Sequence, residues 1–366
     1  LRDKQFYMHH ALELARLTIG QTRPNPSVGA VVVKDGRVVG TGTHMTAGEP
    51  HAEVFALQQA GEQARGAEIY VTLEPCAHYG KTPPCSKAII DYGIKKVYVA
   101  TLDPNPKVAG KGVEWIRSEG IDVEVGVLEE EAQEINKMFF YYMKTRKPYI
   151  TLKTAVSLDG KMTANSGDSK WITSDQSRLD VHLNRHRHDA ILVGSETVLR
   201  DDPLLTTRLP HGGINPTRIV LDTHLSIPLE AKLLSNPDAK TIVVCGKHAD
   251  TTKEEAINQI NHVQVWRLES ERVELAALLE RMAEEQLMSL YVEGGSTIHS
   301  AFIQHQLFNE IHLYMAPKLI GGAMSKAFYN QFGFEEVKDS IHVEFDSIEQ
   351  IGKDIKIIAK PQVEEG

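Results

Sequence analysis

The strongest constraint on what this chain can fold into is a set of four side chains. His51 and Glu53 are followed by Cys76 and, after eight intervening residues, by Cys85. One imidazole and two thiols supply three ligands of a tetrahedral zinc ion and leave the fourth position for water. A purely structural zinc has no need of the carboxylate two residues after the histidine. Zinc-bound water titrates near neutrality, so such a site supplies hydroxide, and Glu53 can move protons between that water and a leaving group. For the four groups to meet, the local structure must be specific. Ile69-Tyr-Val-Thr-Leu73 is a β-branched and aromatic run that places Cys76 in the loop leaving a strand. Pro83-Pro84 precede Cys85-Ser-Lys-Ala-Ile-Ile, and Glu49-Pro50 precede His51-Ala-Glu-Val-Phe-Ala-Leu, so both read as helix entrances. The positive dipole end of a helix favours thiolate over thiol there. Residues i and i+2 do not share a helix face, so His51 and Glu53 converge only if the first turn points at the metal.

At 366 residues the chain is long enough for two domains, each with its own core. A net charge of −9 argues against a general nucleic-acid or membrane surface. With Cys76 and Cys85 claimed as ligands, the one remaining cysteine, Cys245, ends the run Thr-Ile-Val-Val-Cys and reads as a buried strand residue. No signal-peptide core or membrane-length apolar run is visible, and a reducing cytoplasm is expected.

The first half alternates strands and helices. Val28–Val33 and Val38–Thr43 flank Lys-Asp-Gly-Arg as a hairpin. Then follow the His51 helix, the Tyr70 strand, the Cys85 helix, a strand at Lys96–Ala100, a helix at Gly112–Ser118 and a strand at Val123–Val127. This pattern implies a largely parallel sheet covered by helices. One charged helix, Glu129 to Lys144, leads to Thr-Arg-Lys-Pro148, giving domains of 1–147 and 148–366. In the second domain Thr173-Ser-Asp-Gln176 fits a capping box before a helix to about Arg187. Strands are expected from Tyr149 and at Ala190–Val193, Arg218–Leu221, Thr241–Cys245, Val263–Arg267, Ser289–Glu293, Ile311–Met315 and Ile355–Ala359, in a mixed sheet.

Leu290-Tyr-Val-Glu-Gly-Gly-Ser-Thr-Ile298 is a strand running through two glycines into a helix. Glycine lets a backbone approach a ligand, and free amides at a helix start attract phosphate. Lys153, Ser157-Leu-Asp-Gly-Lys161, Ser169-Lys-Trp-Ile-Thr173, Gly194-Ser-Glu-Thr197 and Asp201-Asp-Pro-Leu-Leu-Thr-Thr-Arg208 add polar loops near the predicted strand ends. Open α/β sheets bind ligands at such ends, which suggests a cleft for a phosphorylated molecule.

Histidine, glutamate and paired cysteines in this order form the signature of zinc deaminases acting on pyrimidine or purine rings. Taken with Pro24-Asn-Pro-Ser-Val-Gly-Ala30, Thr72-Leu-Glu-Pro-Cys-Ala-His-Tyr-Gly-Lys-Thr-Pro-Pro-Cys85, Asp103-Pro-Asn-Pro106, Leu152-Lys-Thr-Ala-Val-Ser-Leu-Asp-Gly160 and Val292-Glu-Gly-Gly-Ser296, the chain resembles the bifunctional riboflavin-biosynthesis deaminase/reductases over essentially its whole length. The resemblance implies an α/β fold with an N-terminal cytidine-deaminase-like domain and a C-terminal dihydrofolate-reductase-like domain. It implies one zinc per chain, NADPH, a phosphorylated pyrimidine substrate and a homo-oligomer. His51, Cys76 and Cys85 are then the ligands and Glu53 the proton shuttle. Asn25, His44, His78, Lys81, Thr82 and Asn105 match substrate contacts of the first half. Ala155, Trp171, Thr197, Asp201, Gly295 and Ser296 match cofactor contacts. Ser169, Arg185, Leu205, Arg208 and Glu293 match the substrate side of the second half, with Lys153 and Asp201 as candidates for handling the proton. Two other readings share the metal ligands: a nucleic-acid base deaminase, which needs basic and aromatic surfaces for a strand, and a zinc-stabilised nucleotide sensor, in which replacing Glu53 costs no turnover.

Overall fold

The computed structural model describes residues 3–79, 83–105, 108–330 and 333–362. The chain divides into two compact units, Leu1–Arg146 and Lys147–Gly366. Among the described residues, no helix is long and apolar enough to cross a membrane.

The first unit opens with α1 (Lys4–Arg16), then β1 (Gly29–Lys34), β2 (Arg37–Thr43), α2 (Ala52–Ala60) and β3 (Glu68–Val71). It continues with α3 (Cys85–Asp91), β4 (Lys96–Val99), α4 (Lys111–Ser118), β5 (Asp122–Val125), α5 (Glu129–Ile135) and α6 (Lys137–Thr145). The sheet order is β2-β1-β3-β4-β5. β1 runs antiparallel to both β2 and β3, whereas β3, β4 and β5 are parallel. The sheet is therefore more mixed than the strand–helix alternation implies. Alternation along β1 sends Val32 to one face with Ala56, Leu57 and Ile89, and sends Val31 and Val33 to the other with Met8, Leu12 and Tyr70. Both faces are covered, which is why Val31 to Val33 read as an unbroken apolar run. Full burial of a side chain such as Leu12 contributes about 1.5–3 kcal/mol.

α1 was not anticipated from the sequence. Asp3 caps it by accepting from the Phe6 amide, and Tyr7, Met8, Ala11, Leu12 and Ala15 make its buried stripe. It lies so close to β1 that a Cβ on Gly29 would run into the Ala11 carbonyl oxygen. The single helix expected at Glu129–Lys144 is two helices. Asn136 breaks them at φ −112° and ψ 23°. Its side chain accepts from the Ser27 amide at 2.8 Å and donates to the Ser27 carbonyl at 2.9 Å, so tertiary hydrogen bonds outweigh helix continuity.

The second unit starts with β6 (Tyr149–Ser157), α7 (Asp175–Arg187), β7 (Ala190–Gly194), α8 (Ser195–Asp201), β8 (Thr217–Leu221) and α9 (Lys232–Ser235). Then come β9 (Thr241–Cys245), α10 (Thr251–Asn258), β10 (Val263–Arg267), α11 (Leu275–Glu284), β11 (Ser289–Val292), α12 (Ser296–Gln304), β12 (Glu310–Ala316), β13 (Val343–Ile351) and β14 (Asp354–Pro361). The strand order is β10-β9-β8-β7-β11-β6-β12-β14-β13. Strands are parallel from β10 to β12 and antiparallel through β14 and β13. Leu152, Leu192, Ile219, Val244 and Leu290 pack on one face of this sheet, and Val193, Val220 and Val243 on the other.

The expected capping box at α7 is displaced by one residue. Ser174, not Thr173, is the N-cap, and its side chain accepts from the Ser177 amide. The reciprocal carboxylate comes from Asp354 of β14, which accepts from the Ser174 amide at 2.6 Å and the Ser177 hydroxyl at 2.7 Å. β13 was also missed, because its largely exposed residues carry no burial alternation. α8 stands where Gly194–Thr197 was read as a loop.

Candidate active sites

In the first unit the ligand atoms of His51, Cys76 and Cys85 lie within 4.8 Å of one another. Cys76 leaves β3 through Thr72 to Pro75, and Cys85 opens α3 and donates its amide to Cys76 Sγ at 3.3 Å. His51 Nδ1 is 3.6 Å from Cys76 Sγ and 3.3 Å from Cys85 Sγ. A tetrahedral zinc with ordinary Zn–S and Zn–N bonds needs a nitrogen–sulfur separation of about 3.5 Å, so this donor set fits that ion. The i, i+2 problem is resolved by the cap: His51 sits outside the helix at φ −76° and ψ 166°, while Glu53 lies in the first turn.

Glu53 is buried, and among the described residues its Oε2 has no hydrogen-bond partner. Burial pushes its carboxyl up to about 7 despite the nearby His51. A buried carboxylate oxygen without a partner costs free energy unless something enters to meet it. Hydrogen bonding from Cys85 and from His51 lowers the Cys76 thiol well below its ordinary value.

His44 stands edge-on to His51 with ring centroids 5.3 Å apart. Its Nδ1 donates to the Pro50 carbonyl at 3.2 Å, so its Nε2 accepts from Asn25 Nδ2 at 3.1 Å. Burial lowers the His44 pKa, in keeping with a neutral ring. Asn105 is half-buried and donates its amide to Asp103 Oδ1 at 2.8 Å. His78 is exposed near Asp103, while Lys81 and Thr82 lie outside the described residues.

The sequence reading passed over Glu74 within the quoted Thr72-Leu-Glu-Pro-Cys76. It is buried, and its carboxylate accepts from the amides of Asp103 (3.2 Å), Gly110 (2.9 Å), Gly112 (2.9 Å) and Val113 (3.3 Å).

In the second unit a cavity of about 510 Å³ opens at the C-terminal ends of β6, β7 and β11. Lys153, Ala155, Ser169, Arg185, Thr197, Asp201, Leu205, Glu293, Gly295 and Ser296 line it, bringing together ten of the predicted residues. Arg185 grips Glu293 with two bonds, Nε to Oε1 at 2.6 Å and Nη2 to Oε2 at 3.1 Å, and Lys153 Nζ stands 3.5 Å from Oε2. Burial opposes ionisation of Glu293, but the Arg185 and Lys153 charges outweigh it and hold the carboxyl down to about 2. The two glycines differ in role. A Cβ on Gly294 would press on the Ile298 side chain, whereas one on Gly295 would meet nothing within 4 Å. Gly295 is the N-cap of α12 and opens onto the cavity.

Two predicted residues are not in the cavity wall. Trp171 is 67% exposed with φ +63°, and the Arg178 guanidinium lies 4.3 Å over its ring. It borders a separate open recess with Thr173, Lys318 and Lys353. Arg208 donates its amide to His182 Nδ1 at 3.3 Å, close enough to Arg185 for the two charges to oppose each other. The wall also contains Thr163, Arg200 and Lys326, which no sequence motif singled out.

Residues 1–101 match the cytidine and deoxycytidylate deaminase zinc-binding region, and residues 148–357 match the RibD C-terminal domain. The riboflavin biosynthesis protein RibD of Bacillus amyloliquefaciens is 47% identical over 98% of this chain and 96% of its own. Among solved structures, Acinetobacter baumannii RibD superposes with a TM-score of 0.89 at 40% identity, over 98% of this chain and 99% of that one. The diaminohydroxyphosphoribosylaminopyrimidine deaminase/5-amino-6-(5-phosphoribosylamino)uracil reductase of Thermotoga maritima follows at 0.87 and 37%, covering 98% of each chain. With a His-Cys-Cys group that fits zinc in one unit and a sheet-end cleft in the other, the chain belongs to the RibD family of bifunctional riboflavin-biosynthesis enzymes, a deaminase followed by a reductase.

Proposed function

We propose that the first unit removes the ring amino group of 2,5-diamino-6-ribosylamino-4(3H)-pyrimidinone 5′-phosphate. The second unit then reduces 5-amino-6-(5-phosphoribosylamino)uracil to the ribitylamino product with NADPH. The observation that carries this reading is the meeting of His51, Cys76 and Cys85 beside a Glu53 oxygen that has no partner among the described residues. Zinc held by the three ligands supplies a Lewis acid and water activated near neutral pH. Glu53 takes a proton from the attacking water and delivers it to the ring nitrogen. It then carries the second proton to the amino group, so that a carbonyl forms and ammonia leaves. Asn25, oriented by His44, holds the pyrimidine edge, and Asn105, His78, Lys81 and Thr82 receive the rest of the substrate.

In the second unit NADPH supplies hydride to C1′ of the ribosylamino group. The ring oxygen released there needs a proton, which Lys153 delivers while Glu293 keeps the ammonium in place; Asp201, also in the cavity wall, is the alternative donor. Gly295 and Ser296 offer amides at the start of α12 to the cofactor diphosphate. Ala155, Trp171 and Thr197 meet the nicotinamide half. Ser169, Arg185, Leu205 and Arg208 hold the substrate, the arginines on its phosphate side. A homo-oligomer fits the edge strand β13, which exposes Val343, Phe345 and Ile348, and sedimentation of the purified protein tests it. A reducing cytoplasm suits thiols kept available for metal, and the charge of −9 disfavours nucleic acid as substrate.

The test is the mass of the product made from the diaminopyrimidine ribosyl phosphate with and without NADPH. Exchange of an amino group for oxygen without NADPH, and two further hydrogens with it, is the expected result. An unchanged substrate in the presence of a zinc-loaded chain overturns the reading.

A further inference from the structure

We infer that Glu74 is a positioning residue for deamination, holding the loop that carries Asn105 at a set distance from the metal ligand Cys76. The inference rests on the proposal that Asn105 contacts substrate. Glu74 lies two residues before Cys76, and its side chain reaches chain segments that follow β4. Its Oε2 accepts from the amides of both Asp103 (3.2 Å) and Gly110 (2.9 Å), so one oxygen closes the base of the loop between them. Its Oε1 accepts from Gly112 (2.9 Å) and Val113 (3.3 Å) in the first turn of α4, whose own N-cap, Gly110, has no side chain to do so. A carboxylate at that helix end is favoured by the dipole as well as by the hydrogen bonds.

The same junction is tied a second time. The Ser86 hydroxyl, in α3 next to Cys85, is fully buried among the carbonyls of Pro75 (3.3 Å), Cys76 (3.1 Å) and Gly112 (3.4 Å). A Cβ at Gly112 would run into the Pro75 carbonyl oxygen, so α4 and the Cys76 turn are in direct backbone contact. Within the loop, Asn105 is fixed by its amide bond to Asp103 Oδ1 and by the Val108 and Ala109 amides on its carbonyl at 2.8 and 2.9 Å. The chain of contacts from Cys76 to Asn105 therefore passes through Glu74 with few soft steps. Loosening it lets the loop drift without touching a metal ligand.

The test compares Glu74→Gln, Asn105→Ala and the double variant in the full-length zinc-loaded protein. A glutamine amide turns an N–H group toward at least one of the four donors, which loses hydrogen bonds to charge that are together worth roughly ten- to a hundredfold. The expected result is a rise of that size in the deaminase KM, with a smaller fall in kcat, one zinc per chain, and unchanged reduction of the second substrate by the same molecules. Because both residues act through one loop, the double variant should be little worse than Asn105→Ala alone. An unaltered KM in Glu74→Gln, or effects that multiply in the double variant, overturns the inference. If Asn105→Ala leaves KM unchanged while Glu74→Gln raises it, Glu74 still positions the loop and the Asn105 assignment is what fails. If Glu74→Gln loses its zinc, Glu74→Asp takes its place, because the shorter carboxylate keeps the charge but cannot reach both amide pairs. The same rise in KM and the same non-additivity are then required of it.

Discussion

Replacing Glu293 by glutamine should destabilise the second unit far more than an ordinary change at a cavity wall. The side chains of Arg185 and Glu293 are only 11% and 9% exposed, so solvent does little to screen their pairing. The Glu293 carboxyl is held at about 2, against an ordinary value of 4.5. At 1.36 kcal/mol per pKa unit, that corresponds to about 3 kcal/mol of stability at neutral pH. An independent route gives the same scale: removing one partner of a buried ion pair costs about 3–5 kcal/mol, because the other charge is stranded. Here both Arg185 and Lys153 would be left facing a neutral amide.

For a unit of this size about 3 kcal/mol lowers the melting temperature by roughly 6–12 °C, which calorimetry resolves as a shift in one transition. The pH dependence has a definite sign. A carboxyl depressed in the folded state contributes its full stabilisation above the unfolded pKa and loses it as pH falls toward the folded one. The gap between wild type and Glu293→Gln should therefore be flat from pH 8 to 5 and should narrow below about 4.5. Replacing both Arg185 and Glu293 by methionine should recover much of the loss, since the pair is then absent rather than broken. A Glu293→Gln protein within about 1 kcal/mol of wild type at pH 7, the size of an exposed pair, would refute the reasoning.

Glu53→Gln should abolish ammonia release, by at least about a hundredfold, while zinc content and the reductase rate stay at wild-type values; retained turnover in the zinc-loaded variant excludes the proton-shuttle role. Chelation should stop deamination and leave reduction intact, because His51, Cys76 and Cys85 all lie in the first unit; parallel loss of both activities on metal removal, recovered with zinc, would contradict that separation. Gly29→Ala should cost about 1–3 kcal/mol in the unfolding of the first unit, since the new methyl meets the Ala11 carbonyl of α1 and the backbones must part. Denaturation midpoints measure it, and a neutral result would mean that α1 is not seated on β1 as described.

What could be read from the sequence follows from how each feature is encoded. The cluster of His51, Cys76 and Cys85 was legible because histidine and cysteine are chemically distinctive and their spacing along the chain is recognisable. The strand ends that form the cleft were legible because β6, β7 and β11 each carry an apolar run, and the cleft follows once those strands are ordered. Glu74 was invisible for the opposite reason. It stood in plain view, but its four partners are backbone amides 29 to 39 residues away, which no side-chain pattern announces. Asn136 behaves similarly: its bonds to Ser27 span 109 residues and override a helix that local propensity would continue. α1 is a different kind of omission, since Asp3 and the stripe from Tyr7 to Ala15 were a sufficient signal. Trp171 and Arg208 stand in polar loops that the sequence places near the strand ends, yet they are the two predicted residues of the second unit that lie off the cavity wall.

Three buried or nearly buried glutamates show how hydrogen-bond accounting separates roles that residue type cannot. Glu74 has four amide donors, and Glu293 has two cations making three contacts; each carboxylate is saturated and so fixed in place. Glu53 has an oxygen with no partner among the described residues. A carboxylate that must give and take a proton within one turnover cannot be held by strong donors, because each of them stabilises the ionised form and resists protonation. A carboxylate that must hold charge or backbone in place requires those donors. The same glutamate-to-glutamine change should therefore have three distinct signatures: loss of turnover without loss of stability at Glu53, a raised KM at Glu74, and a lowered melting temperature at Glu293. Finding the stability loss at Glu53 instead would mean that its open oxygen is filled in the resting protein, and that its task is to hold rather than to transfer.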